Sequence, residues 1–416
     1  MDTLRSESSI TGHTARGVCN HRLALYMHFQ LDADTATYRD AVRAHLREVL
    51  TPDFEERIYR SGVSHNDEFA KGLVDKGYFA PTWPVEFGGQ NRNAWDDQVV
   101  KEELMRFDAP MYLSETTRMV ASIIREVGNP ALRDRILAGA INGEITIALG
   151  FTEPECGSDV AAAATRAVRD GDGDDAEWVI NGSKMFTTNG HIADFVFLLA
   201  RTSPDKPKHQ GLTMFLVPCD SDGFAAQAVW TLSGERTNIT FYSDVRVGDE
   251  WRVGDVDGGW QVLGLSLRDE HASGWGPHLI RLLHHAEHWA ATAVSDDGSR
   301  PILNAAVRRR LARVAIETEV SMLLQRRCVW MLDQGDTPVA EGSMSKLFST
   351  EALERSSQDV IELVGADGLR GYLEPSAPER GRFEHSLRFS LGTTIYAGTS
   401  EVHRTIIAQR GLRLPR

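Results

Sequence analysis

The hydrophobic period of this 416-residue sequence changes twice, and that double change limits the possible folds more than any single motif. From residue 32 to about 143 apolar residues recur at helical spacing, with Val42, Leu46, Val49 and Leu50 on one stripe and Asp34 as the expected N-cap. From 145 to about 256 the period is two, in the runs ITIALGF, EWVINGSKMFTT, DFVFLLA, LTMFLVP and TNITFYSDVRV, separated by Asp, Gly and Pro turns. After Gly258 and Gly259 helical spacing returns, at 262–283 with a break at 274–277, then at 305–332, 343–364 and 393–409. Helices, strands and helices in that order predict an α+β chain: an N-terminal helical bundle (31–145), a middle antiparallel β domain (146–256) and a C-terminal helical bundle (257–416).

Residues 1–30 form a polar leader, expected to be disordered; its first 26 residues carry Arg5, Arg16 and Arg22, lack the apolar core of a signal peptide, and precede a candidate start at Met27. A net charge of −14 opposes a phosphate backbone and argues against a nucleic-acid partner, and the basic run from Arg308 to Arg310 reads as a helix face. No apolar run approaches the length that crosses a bilayer, which argues against a membrane partner. The four cysteines are scattered without zinc spacing, which points to a reducing, cytoplasmic location and no metal site.

Several motifs carry little. His284, His285, Glu287 and His288 read HHAEH rather than HExxH, so a solvated helix face is expected. Ser343 and Lys346 match SxxK on a helix without companion motifs, and Gly365, Gly368 and Gly371 read as a helix end and turn. More informative is TEPECGSD at 152–159, a loop of backbone N–H groups and small hydroxyls suited to an anion or the polar edge of a flat ring. In NGSKMFTTNG at 181–190 the Asn-Gly signal predicts a tight hairpin, with Phe186 and Thr188 on one strand face, an aromatic and a hydroxyl placed to meet a planar heterocycle.

Together with the bent loop GYFAPTWPVEFGG, the run GERTNITFYSDVRV and the ending IYAGTSEVHRTIIAQRGLRLPR, these motifs resemble the acyl-CoA dehydrogenase family over nearly all of the chain after Met27. The resemblance implies FAD as cofactor, an acyl-CoA thioester as substrate, its conversion to the 2,3-enoyl thioester with hydride transfer to flavin N5, and electron-transferring flavoprotein as acceptor. It places Leu149, Phe151, Thr152, Gly157, Ser158, Phe186, Thr187 and Thr188 at the flavin, with Ser158 also near the thioester. It implies that Glu362, Gly365 and Ala366 serve the FAD of a neighbouring subunit, and that Thr399 and Glu401 contact FAD from the last helical region. A homo-oligomer, dimer or tetramer, or a heteromer with a paralogous chain follows, the latter resembling bacterial members that act on bulky substrates such as steroid side chains.

The chain departs from the family where it matters most. Many members carry a catalytic glutamate between the tyrosine and glycine of IYxGTS, where this sequence has Ala397, which cannot accept a proton. A second family solution puts the base on the first helix of the C-terminal bundle; in LSLRDEHASGWGP that position is Glu270, followed by His271 where arginine is usual. Ala397 and Gly398 retain the backbone that meets the thioester carbonyl, and with Ser158 and His271 they form the expected substrate contacts. Two other functions stay open at this level: a flavin oxidase or monooxygenase of the same fold, and a non-catalytic subunit of a heteromeric acyl-CoA dehydrogenase.

Overall fold

The computed structural model describes residues 29–173, 176–271, 274–295 and 297–415; the expected leader lies outside them, except Phe29 and Gln30, and so do the side chains of 267–271. The N-terminal helices are α1 (Ala33–Val49), α2 (Pro52–Ser61), α3 (Asp67–Asp75), α4 (Ala94–Arg106), α5 (Tyr112–Val127) and α6 (Pro130–Ile141). Capping by short polar side chains sets their starts. Asp32, not Asp34, caps α1 by accepting the Thr35 N–H at 2.8 Å, and Asp34 falls in the first turn. Asn66, Asn93 and Asn129 do the same for α3, α4 and α6. In α1 the residues Tyr38, Val42 and Leu46, four apart, form the buried stripe.

The middle strands are β1 (Ile147–Gly150), β2 (Arg166–Asp170), β3 (Glu177–Lys184), β4 (Phe195–Arg201), β5 (Leu212–Pro218), β6 (Phe224–Trp230), β7 (Arg236–Gly248) and β8 (Arg252–Val253). They lie in the order β6-β7-β3-β2-β4-β5-β8, with β1 parallel to β4. The sheet is mostly antiparallel, as expected, but not wholly, since β2 also meets β4 in parallel. The period-2 pattern of β4 and β5 separates two cores. Phe197, Leu199, Met214 and Leu216 join the N-terminal helices, while Val196, Leu198, Phe215 and Val217 pack with Trp178 and Tyr242 on the opposite face.

The C-terminal helices are α7 (Gly259–His271), α8 (Gly276–Thr292), α9 (Ala305–Asp333), α10 (Val339–Val364), α11 (Arg382–Thr393) and α12 (Ser400–Ile406), the last running into a π-helical turn. Their core holds Leu279, Leu282, Leu311, Leu353 and Phe383. The helix expected at 393–409 is interrupted, because Ala397 and Gly398 take positive φ of 55° and 85°. This turn puts the IYAGTS segment on a loop between α11 and α12. Among the described residues, no helix is long and apolar enough to cross a membrane.

Candidate active site

A cavity of about 1900 Å³ lies where the N-terminal helices, the sheet and the C-terminal bundle meet. Its first wall is the loop after β1. Glu153 is buried there, and its carboxylate accepts from the Ala164 N–H (2.7 Å), the Thr165 N–H (2.9 Å) and Lys184 Nζ (2.8 Å). Lys184, fully buried on β3, also donates to the Phe151 carbonyl at 3.2 Å. Burial pushes the Glu153 carboxyl up, but Lys184 and the two N–H groups outweigh it and hold the group below the usual carboxylate range. Paired backbone bonds between Glu153 and Cys156 close the turn, and Gly157 and Ser158 come out exposed on the cavity wall.

The second wall follows β3 and corrects the expected strand. β3 ends at Lys184, so Phe186 and Thr188 do not alternate on a strand; they sit in a turn fastened by the Met185 N–H donating to the Thr152 carbonyl at 2.8 Å. The Asn181-Gly182 pair makes no hairpin either. It forms a bulge inside β3, where a Cβ on Gly182 would stand 2.7 Å from Thr165 Oγ1. Phe186 has φ 60° and leaves 52% of its surface open, and it lines the cavity. Thr188 lines it too, its hydroxyl 3.1 Å from that of Thr237. Thr187 faces the interior instead, fully buried with its hydroxyl 3.1 Å from that of Thr240.

The third wall is the loop between α11 and α12. The Ala397 carbonyl accepts from His403 Nε2 at 2.9 Å and the Gly398 carbonyl from Lys346 Nζ at 2.6 Å, which fixes the peptide planes on either side of Gly398. Burial lowers the His403 pKa, so the neutral ring with its proton on Nε2 makes this bond. Thr399 caps α12 by accepting the Val402 N–H at 3.3 Å. Ala397, Gly398 and Thr399 line the cavity together with Leu149, Phe151, Thr152, Gly157 and Ser158.

The structure thus joins most of the expected site residues and leaves others apart. Glu401 is exposed in the first turn of α12 and is not among the cavity-lining residues. Glu362, Gly365 and Ala366 are exposed at the end of α10 and beyond, also away from the cavity; Glu362 pairs with Arg310 at 2.8 Å. Glu270 and His271 end α7, and their side chains lie outside the described residues. The backbone position of Glu270 is seven residues, about two turns, past Leu263, which lines the cavity. His285 and His288 do not form a merely solvated face: they reach the two carboxylate oxygens of Glu379 at 2.9 and 2.6 Å. Sequence reasoning missed a polar group that also lines the cavity, made of Asp108, Glu235, His278, Arg281 and His385. No local pattern joins these residues, because four separate segments supply them: the loops at Asp108 and Glu235, α8 with His278 and Arg281, and α11 with His385.

Three family models match the chain in order: the acyl-CoA dehydrogenase N-terminal domain at residues 32–144, the middle domain at 148–245 and the C-terminal domain at 259–412. The chain belongs to the acyl-CoA dehydrogenase family. Among its relatives, acyl-CoA dehydrogenase FadE26 of Mycobacterium tuberculosis is 33% identical over 396 residues, covering 91% of this chain and 96% of the relative. The Tcur3481-Tcur3483 steroid ACAD matches with a TM-score of 0.86 at 31% identity, over 94% of this chain and 100% of that one. A chain of the ChsE4-ChsE5 complex from Mycobacterium tuberculosis matches with a TM-score of 0.86 at 32% identity, over the same shares of 94% and 100%. The chain is accordingly an acyl-CoA dehydrogenase by family, an oxidoreductase acting on a CH–CH bond.

Proposed function

We propose that the protein binds FAD in this cavity and dehydrogenates an acyl-CoA thioester to the 2,3-enoyl thioester, with Glu270 as the α-proton base. The observation that carries this reading is the meeting of three distant segments, at Ser158, Phe186 and Ala397, on one cavity. The residues fit a flavin. A half-exposed phenylalanine held at positive φ combines backbone strain with an uncovered apolar face, and a flat ring against it removes the exposure. Gly157 leaves open space on the cavity wall, since a Cβ there would meet only the Thr152 methyl, at 3.9 Å. Phe151, Thr152, Ser158 and Thr188 would hold the ring, and FAD when bound supplies the hydride acceptor.

An α-C–H beside a thioester is a weak acid, so its removal needs a polarised carbonyl as well as a base. The loop backbone at Ala397 and Gly398 serves the carbonyl: His403 and Lys346 hold the Ala397 and Gly398 oxygens, which fixes the two peptides that carry the Gly398 and Thr399 N–H groups and anchors the loop that presents the Ala397 N–H before substrate arrives. Ala397 offers no proton acceptor, and Glu270 stands at the family's alternative position, on the helix that carries Leu263 into the cavity wall. The exposed Glu362, Gly365 and Ala366 support a role toward a second subunit's FAD, and the Arg310 pairing compensates the Glu362 charge there. The heteromeric relatives favour a paralogous partner chain alongside a homo-oligomer. Electron-transferring flavoprotein is the proposed acceptor.

An absorbance spectrum of the purified protein, followed by anaerobic titration with acyl-CoA thioesters, tests the reading. A flavin spectrum that bleaches on addition of substrate is expected. Rapid oxygen consumption with peroxide release would favour an oxidase, and a colourless protein that gains flavin only with a co-expressed partner would favour a non-catalytic subunit.

A further inference from the structure

The cavity does not end in hydrocarbon. From Tyr396, next to Ala397, a wall of rings leads away from the proposed reacting centre: Trp275 is 5.5 Å from Tyr396, His278 5.3 Å from Trp275, and Phe389 5.0 Å from His278. Beyond Phe389 come His385, at 6.2 Å, and Tyr372, stacked on His385 at 4.2 Å. An apolar body lying along this wall reaches a charged end. There Arg281 meets Asp108 at 2.6 Å, and a third of the Asp108 side-chain surface is open toward the cavity it lines.

The arginines of this end already face carboxylates. Arg281 pairs with Asp108, Arg382 and Arg380 share Glu55 at 2.6 and 3.5 Å, and Arg388 is paired with Glu384. Burial and then the Asp108 charge push the Glu235 carboxyl up, toward its neutral form. Burial, reinforced by Arg281, brings His278 down to about 3, and burial brings His385 down to about 4 against the opposing Asp108 charge, so both rings are neutral near pH 7. Neither needs a counter-ion, yet both retain hydrogen-bonding capacity. His385 is 9% exposed and has no hydrogen bond to either ring nitrogen among the described residues. His278 is 7% exposed, and only its Nδ1 has a contact, at 3.4 Å to Arg281. Polar rings this buried are normally satisfied, so a group that enters the cavity is their natural partner.

We propose that this inner end, formed by Asp108, His278, Arg281 and His385, is a subsite for a neutral oxygen function, a hydroxyl or carbonyl, at the far end of an otherwise apolar acyl group. A carboxylate is disfavoured, because each arginine already faces a carboxylate and Asp108 would repel another. The subsite rests on the reading that the cavity takes an acyl-CoA. It adds a substrate class to that reading: amphipathic acyl groups over plain alkyl ones.

The test separates binding from turnover. The FAD-loaded protein is titrated calorimetrically with a homologous series of 2,2-dimethylacyl-CoA thioesters, which have no α-hydrogen to lose, each with and without a terminal hydroxyl. Because the subsite lies at a fixed distance from Ala397, the hydroxyl should tighten binding roughly ten- to hundredfold at one chain length and not along the whole series. His385→Phe keeps the ring and removes its nitrogens, and His278→Phe does the same one step along the wall. Each should bring the best hydroxyl-to-alkyl ratio toward one while flavin content stays at the wild-type level. A wild-type ratio near one at every length overturns the subsite, and bleaching by ordinary acyl-CoA in the same preparation then leaves the dehydrogenase reading intact. Failure of every thioester to bind overturns both.

Discussion

Replacing Lys184 by methionine removes the cation that holds the TEPECGSD loop. Lys184 is fully buried and loses two bonds, to Glu153 at 2.8 Å and to the Phe151 carbonyl at 3.2 Å. The Glu153 carboxylate keeps its two backbone donors but becomes a buried charge without a counter-ion, a change that costs about 3–5 kcal/mol. Glu153→Gln strands the ammonium instead, and its amide NH2 confronts the N–H of Ala164 or Thr165, for a similar cost of about 3–5 kcal/mol. The double variant leaves neither charge unpaired and should cost about 1–3 kcal/mol less than the two single changes added together. Urea unfolding followed by near-ultraviolet circular dichroism measures the cycle, with Lys208→Met as control, since its pair with Asp159 in the same loop is half exposed and contributes at most about 1 kcal/mol. FAD retention should fall in Lys184→Met and hold in Lys208→Met. Additivity within about 0.5 kcal/mol would refute the argument that the buried pair acts as a unit.

Other outcomes follow from the same geometry. Phe186→Ala should weaken FAD retention about 2- to 13-fold, the equivalent of the roughly 0.5–1.5 kcal/mol that an aromatic platform contributes beyond area burial; equilibrium dialysis of FAD checks it. His278 and His385 titrate near 6.5 when unfolded and at about 3 and about 4 when folded, so the unfolded chain binds more protons between these values. Stability from the two rings is therefore complete above pH 6.5 and declines as pH falls toward 4, by an amount on the order of a few kcal/mol, and His385→Phe should flatten part of that decline in urea titrations at stepped pH.

Much of the architecture was legible because the change of hydrophobic period is a global signal that no single residue can hide. Its gaps have local causes. β2 buries only Ala167 along RAVRD, and β6, FAAQAVW, is an alanine-rich edge strand, so neither shows the β-branched alternation that marks β4 and β5. α11 buries His385, Ser390 and Thr393 beside Phe383, which blurs its apolar stripe. At the site, Ser158, Phe186 and Ala397 were readable as members of contiguous motifs. The strand expected through Phe186 fails because positive φ at Phe186 and Asn189 bends the chain out of the sheet, a choice made by tertiary contacts with Asn238 and Thr152. The Asp108, His278, Arg281 and His385 cluster was invisible because its members are drawn from a loop, α8 and α11 and meet only in the folded chain.

A carboxylate on α7 is proposed to take over the role that Ala397 cannot perform, and single-turnover anaerobic bleaching of Glu270→Gln is the decisive measurement. The isosteric amide should keep FAD and bind acyl-CoA, yet bleach roughly 10²–10⁴-fold more slowly, with Asp269→Asn much less affected and Ala397→Glu partly restoring the rate in the Glu270→Gln background. Wild-type bleaching in Glu270→Gln alone would contradict the claim.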